Sequence, residues 1–310
     1  MPLLRGIFQS SHHSPPVMAG YWAGGSNNSN FSSQYSKIIF PSETGAAVSV
    51  NLSVAKAWFA GAANSGSTGA GYVFAGYAST YTNVIEKLIY DGEVNSVLSA
   101  VTTSTASYNT AASNNGTAAY TNATAQFGGT SLNKLAFSGE TVSTVSATIS
   151  PNGRQTSAMA NSGTAAYFGG YVSGPTYYTR IAKLTFSADT TSAATGVLSV
   201  GRADIAAFAN SGTAGYFVCG DGSGGFGTTV VDKFTFSTDT NSSITSTLIY
   251  GISFSTGVSY NGTAGYFHDA NPPSALNTIR KLLYSTDTIS TISATLQTSR
   301  YAMASHAHGL

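Results

Sequence analysis

Lys37, Lys87, Lys134, Lys183, Lys233 and Lys281 share one setting, and six of the seven lysines of the chain lie in it. Each stands three residues before an aromatic (Phe40, Tyr90, Phe137, Phe186, Phe236, Tyr284) and six before an acid (Glu43, Glu93, Glu140, Asp189, Asp239, Asp287). An ammonium and a carboxylate offered six times over could build six equivalent ligand sites. The structural reading is that the acid caps a turn while the lysine lays its stem on apolar surface and keeps its head in water. A feature present in every unit maintains the unit, so the structural role is expected, and recognition is sought where the units differ.

They differ in the segments that precede these lysines. Residues 26–36, 77–86, 171–180, 221–230 and 268–279 are unlike one another and hold Phe31, Tyr35, Tyr77, Tyr81, Tyr171, Tyr177, Tyr178 and Phe226 among Asn, Ser and Gly. Aromatic faces beside amides and hydroxyls suit sugar rings or a flat protein partner. Asp221, His268 and Asp269 add groups able to act as acid, base or ligand. The other histidines are His12, His13, His306 and His308, and four imidazoles brought together would bind a transition metal. No carboxylate is near them in sequence, so surface histidines and no metal are expected. Cys219 stands alone, which excludes an intrachain disulfide. Arg154, Arg202 and Arg300 read as one structural repeat position. There is no Ser-His-Asp, HExxH or phosphate-loop signature. No enzyme activity and no cofactor are expected.

The elements that must position these groups follow from the period. The six lysines are 47–50 residues apart in a chain of 310. Periods of this length mark solenoids, propellers or arrays. Within residues 202–250, apolar and β-branched runs alternate with Ser-Gly and Asp-containing turns. The runs are Arg202–Asn210, Thr213–Gly220, Val230–Phe236 and Ile244–Tyr250, strands A to D. A tyrosine repeats in every B strand: Tyr21, Tyr72, Tyr120, Tyr167, Tyr216 and Tyr266. The A–B corners are Asn-Ser-Gly or Asn-Gly turns, which need positive φ. The A strands are built from small residues (Ala55–Ala62, Ala158–Ala160, Ala203–Ala209, Ala302–Ala307), as sheets converging on an axis require. Four-stranded sheets around a channel are β-propeller blades.

The expected fold is all-β: a six-bladed propeller over residues 18–310, with residues 1–17 as an N-terminal arm. The surplus A strand, Arg300–His308, is expected to pair with Met18–Gly24 and close the ring; the alternative is Arg5–Ser11 as the missing strand. Charged residues are only 8 % of the chain and the net charge is +1, so nothing makes nucleic acid or an anionic membrane a natural partner. The first 17 residues carry no signal-peptide-like apolar run, and no stretch is apolar enough for a membrane-spanning helix. Folding in a cytosol is expected.

With its period near 50, four strands per unit and glycines after strand B (Gly24-Gly25, Gly169-Gly170, Gly220), the chain resembles the kelch and galactose-oxidase-like propellers. The turns FSADT and FSTDT resemble the Asp-box of sialidase-type propellers without its Gly and Trp. The low-charge Ser/Thr/Ala/Gly texture resembles propeller proteins of tailed bacteriophages. That resemblance implies a non-enzymatic virion component of tail, fibre or capsid surface, assembled in the host cytoplasm. Its expected partners are other virion proteins, further copies of this chain among them, and a host-surface glycan. A lectin-like module and a glycan-active enzyme are the alternatives.

Overall fold

The computed structural model describes residues 18–28, 30–65, 69–123, 129–149, 154–225, 227–245, 248, 250–271 and 274–308. The arm, with His12 and His13, and Arg5–Ser11 lie outside them, as does Phe226. Among the described residues there are strands and turns and no helix, hence no helix long and apolar enough to cross a membrane.

The strands form six antiparallel four-stranded blades arranged as a β-propeller. The first blade is assembled from both ends of the chain: Ala304–His308 (A), Ala19–Ala23 (B), Gln34–Ile39 (C) and Thr44–Asn51 (D). Ala19 pairs with His308 and Ala23 with Ala304, so the C-terminal strand closes the ring. The A strands of blades two to six are Ala60–Asn64, Ala111–Asn114, Ser157–Asn161, Ala206–Asn210 and Gly257–Tyr260. They start later than expected in blades two, five and one. Residues 55–59 and their counterparts are links, and Arg202–Ala203 pairs instead with Asp221–Gly222. The D strand of blade five also differs. It runs Thr240–Ser243 rather than Ile244–Tyr250. Asp239 takes a left-handed conformation (φ 50°), closes the turn, and sends the chain straight back along strand C.

Small residues line the axis because the A strands approach closely. A Cβ on Gly61 would meet the Ser305 carbonyl oxygen of the neighbouring blade at 2.2 Å. The double glycine after strand B survives as geometry where its sequence does not. Gly24-Gly25, Ala75-Gly76 and Cys219-Gly220 have φ of 59° and 102°, 56° and 109°, and 60° and 104°. Alanine or cysteine tolerates the first conformation; the second is confined to glycine.

The repeated lysine motif works between blades, and this corrects the expected turn cap. Within each blade the lysine on strand C stands opposite the B-strand tyrosine, as in Tyr120↔Lys134 and Tyr216↔Lys233. Both reach the acid of the next blade. Asp189 accepts from Lys134 Nζ at 2.7 Å and from the Tyr120 hydroxyl at 2.6 Å. Asp287 accepts from Lys233 Nζ at 2.7 Å and from Tyr216 at 2.8 Å. Glu93 with Lys37 and Tyr21, Glu140 with Lys87 and Tyr72, and Asp239 with Lys183 and Tyr167 repeat the arrangement. Glu43 of blade one, taking Lys281 and Tyr266 of blade six, completes the circuit. The aromatic of the motif joins in. Tyr90, Phe137, Phe186, Phe236 and Tyr284 stack on the preceding blade's tyrosine with centroids 5.2–5.3 Å apart, and Phe40 lies 5.0 Å from Tyr266. Each such pair contributes about 0.5–1.5 kcal/mol beyond its buried area. The lysine heads are therefore held in ion pairs at the blade boundary. Burial, then the bond to Asp189, pushes the Tyr120 phenol up to about 12.

Candidate functional site

The links between blades converge on one end of the channel, the end that also carries the B–C connections. Six residues there, one per blade, are left-handed: Ala302, Trp58, Tyr108, Gln155, Asp204 and Phe254, with φ of 52–64°. Each stands six residues before the last residue of its A strand. Their backbones form a hydrogen-bonded ring. Trp58 N donates to Ala302 O (2.9 Å), Tyr108 N to Trp58 O (2.8 Å), Gln155 N to Tyr108 O (3.3 Å), Asp204 N to Gln155 O (3.1 Å) and Ala302 N to Phe254 O (2.9 Å). The ring is broken only between Asp204 and Phe254. Holding non-glycine residues in this region costs about 1 kcal/mol or more each, and the surrounding bonds hold them there. Because the backbone does the structural work, the six side chains are free to differ, and they surround a cavity of about 140 Å³ at the channel mouth.

Their chemistry is unevenly divided. On one side Trp58 lies 5.4 Å from Tyr108 and 6.0 Å from Tyr77. Phe31 stands edge-on to both Trp58 (5.8 Å) and Tyr77 (5.6 Å), and Tyr77 lies 5.0 Å from Tyr81. All five rings are partly exposed. The indole N–H of Trp58 is buried and has no partner among the described residues. On the other side Gln155 Nε2 donates to Asp204 Oδ2. Burial, with the charge of Asp221 second, pushes the Asp204 carboxyl well above the usual carboxylate range. The Tyr177 phenol is raised by burial and by the charges of Asp221 and Asp204. The mouth thus joins an aromatic wall to an amide–carboxyl pair.

Of the residues expected to line the variable face, Phe31, Tyr77 and Tyr81 come together in this cluster; Tyr177 lies on strand C of blade four, opposite Val172. Tyr178 does not join them. It stacks on Tyr171 (4.6 Å, 10°) inside an extended hairpin of blade four, where strands B and C run on to Ser173 and from Thr176. Residues 77–86 are likewise mostly strand, since strand C of blade two begins at Tyr81.

Five expected contact residues are buried. Tyr171 is packed under Tyr178, and Tyr35 packs against blade two with its hydroxyl donating to Asn95. Asp221 sits in the short ladder with Ala203 and accepts from Gly227 N at 3.0 Å. Asp269 takes the Arg280 Nε at 2.9 Å and the Tyr250 hydroxyl, satisfying its charge internally. His268 is fully buried beside Ser255 and Thr256, and burial lowers its pKa to about 3.

His306 and His308 point the same way, into the boundary with blade two. Their rings lie tilted against Tyr90, with centroids 5.6 and 4.8 Å away. The Tyr90 hydroxyl is 3.1 Å from His306 Nδ1. Among the described residues no three His, Cys, Asp or Glu side chains are disposed to hold a metal ion. Arg154 is exposed, unlike the fully buried Arg202 and Arg300, and stands one residue out of register with them.

Trp58, Tyr108, Gln155, Asp204 and Phe254 were not among the sequence candidates. The signal for them was present: aligning the units on the A–B corners shows a position that is different in every unit. The chain matches no known protein family, and a comparison with curated proteins finds no significant match.

Proposed function

We propose that the protein is a non-enzymatic recognition propeller that holds a saccharide at the channel mouth, carried as a component of a tailed-phage particle. The observation that carries this reading is the aromatic cluster of Phe31, Trp58, Tyr77, Tyr81 and Tyr108, whose members Trp58 and Tyr108 line the same cavity as the Gln155–Asp204 pair. Aromatic faces hold the apolar side of a pyranose, and an amide beside a carboxyl meets its hydroxyls with both donors and acceptors. The virion placement is supported by the resemblance in composition and by the low charge, 8 % of residues.

The test is a glycan array followed by titration calorimetry on the best ligand. Trp58→Ala and Tyr77→Ala are expected to weaken binding at least tenfold while leaving the unfolding transition in place. Silence across a broad array, or binding unchanged in both variants, defeats the reading. A glycan-cleaving alternative would rest on Asp204, whose raised pKa suits a general acid. Turnover of a bound glycan that disappears in Asp204→Asn while binding persists would establish it.

A further inference from the structure

Three blades carry a cation in the link four residues before strand A: Lys56, Arg202 and Arg300. All three are buried, at 1 %, 0 % and 1 % exposure. In blades two and five the cation meets an acid on strand C of its own blade, the residue just before the repeat lysine. Lys56 Nζ lies 3.0 Å from Glu86, and Arg202 Nη2 lies 2.7 Å from Asp232. In blade one that position is Ser36. Arg300 donates through Nη2 to Ser36 Oγ (2.7 Å) and through Nη1 to the carbonyls of Gly24 (2.6 Å) and Gln34 (2.7 Å), with a longer contact to Ser32 Oγ (3.4 Å). Its buried Nε has no partner among the described residues. All twelve Asp and Glu residues of the chain are described, and none pairs with Arg300.

The charge is thus buried without its opposite, an arrangement that costs several kinds of solvation and is normally relieved by a partner. Burial alone lowers the Arg300 pKa, to about 10, whereas at Arg202 the charge of Asp232 opposes the same effect. Beside Arg300 opens a cavity of about 310 Å³, walled by Asn30, Ser32, Ser33, Gln34 and Thr298 with Phe31 at its edge. Its size falls at the lower end of small-molecule sites, roughly 300 Å³. Its walls are mostly hydroxyls and amides, with Phe31 and Ala55 as the apolar members. Phe31 lines this cavity and packs edge-on to Trp58, which lines the channel mouth, so the Phe31–Trp58 ring pair links the two.

We infer that the cavity beside Arg300 takes the carboxylate of an acidic sugar residue, which supplies the counter-charge that Glu86 and Asp232 supply in the other two blades. This rests on the saccharide reading of the channel mouth and narrows it to uronic-acid-type glycans. Arg is suited to the task, since its planar guanidinium matches a carboxylate and stays charged at neutral pH.

Titration with glucuronate, glucose and acetate tests it. The parent protein is expected to bind glucuronate at least tenfold more tightly than glucose, and acetate more weakly than glucuronate. Ser36→Asp installs the missing carboxylate internally, as blade five has it, and is expected to reduce the preference for glucuronate over glucose to less than twofold. Should that variant fail to fold, Arg300→Gln carries the same expectation. Trp58→Ala is expected to weaken both sugars together. Equal binding of glucose and glucuronate by the parent, acetate bound as tightly as glucuronate, or a preference that survives Ser36→Asp overturns the inference while leaving a neutral-sugar site standing. No binding of either sugar, with a silent array, removes the channel-mouth reading and this inference with it.

Discussion

Lys281, on strand C of the sixth blade, donates to Glu43, in the C–D turn of the first, across 238 residues of chain. It is the same clasp that Lys134 makes to Asp189 within the chain's interior, so the boundary between the last blade and the first is fastened like the others. The consequence is a ring in which no boundary is structurally privileged.

Loss of a clasp should therefore cost about the same anywhere. The paired side chains at the last-to-first boundary are roughly a quarter exposed, 23 % and 24 %, so solvent screens the pair. Glu43→Gln and Glu140→Gln are each expected to lower stability by about 1 kcal/mol. Urea unfolding reads this, and a double cycle with Lys281→Met should show the coupling at Glu43 but not at Glu140. A Glu43 variant several-fold more costly than the Glu140 one would show that the last-to-first boundary is the weak one.

Closure itself depends on the strand Ala304–His308. Removing residues 300–310 strips the hydrogen-bonding partner from Ala19–Ala23 and exposes Tyr21 and Trp22, now 2 % and 0 % exposed. An unpaired edge beside apolar surface aggregates. The truncated protein is expected to melt at lower temperature and to associate on gel filtration. Melting like the parent, as a monomer, would refute the closure.

Gly71 faces His306 across the first boundary, where an added Cβ would lie 2.1 Å from Nδ1. Gly71→Ala is expected to cost about 1–3 kcal/mol through overpacking. His306→Ala added to it should recover part of the loss by opening space. Additive losses in the thermal denaturation of the double variant would contradict the contact.

Burial lowers His268 and His306 to about 3, from an ordinary value near 6.5. The folded protein then binds fewer protons than the unfolded chain below pH 6.5, so each histidine's contribution is complete above that pH and is lost as pH falls toward 3. Each adds about 1.4 kcal/mol per pH unit to the slope within that window. Asp204 acts oppositely. Its raised pKa keeps the folded protein protonated above the unfolded value, and it subtracts from the slope. His306→Phe should cost about 1 kcal/mol at pH 7.5 through the lost Tyr90 contact and flatten the acid limb between pH 6 and 4. Chemical denaturation at several pH values measures both; an unchanged limb would rule out His306 as its source.

The periodic spacing of Lys, aromatic and acid, the tyrosine of strand B and the Asn-Gly corners were sufficient to read six β-units and their closure. These signals are local, and six copies reinforce one another, so chance matches in any one unit hardly matter. What each repeated side chain touches was not legible. Asp189 looks like a cap for its own turn, yet its carboxylate serves Lys134 and Tyr120, 55 and 69 residues earlier. Nothing within a unit says which of its faces meets the next one.

The candidate site divides the same way. Phe31, Tyr77 and Tyr81 stood out as aromatics in segments that vary, and they cluster behind Trp58, which lines the mouth. Tyr35, His268 and Asp269 stood out equally and are buried, because alternation along a strand decides which face a residue takes, and the lengths of the strands were not known. Trp58, Tyr108, Gln155, Asp204 and Phe254 lie about 50 residues apart in sequence and meet only because six left-handed links turn toward one axis. The sequence by itself determined the repeat, its strands and the number of blades, since those depend on short-range pattern. The tertiary structure alone decided which side chains converge on the channel and which charge, at Arg300, is left without a partner, since convergence and burial are properties of the closed ring.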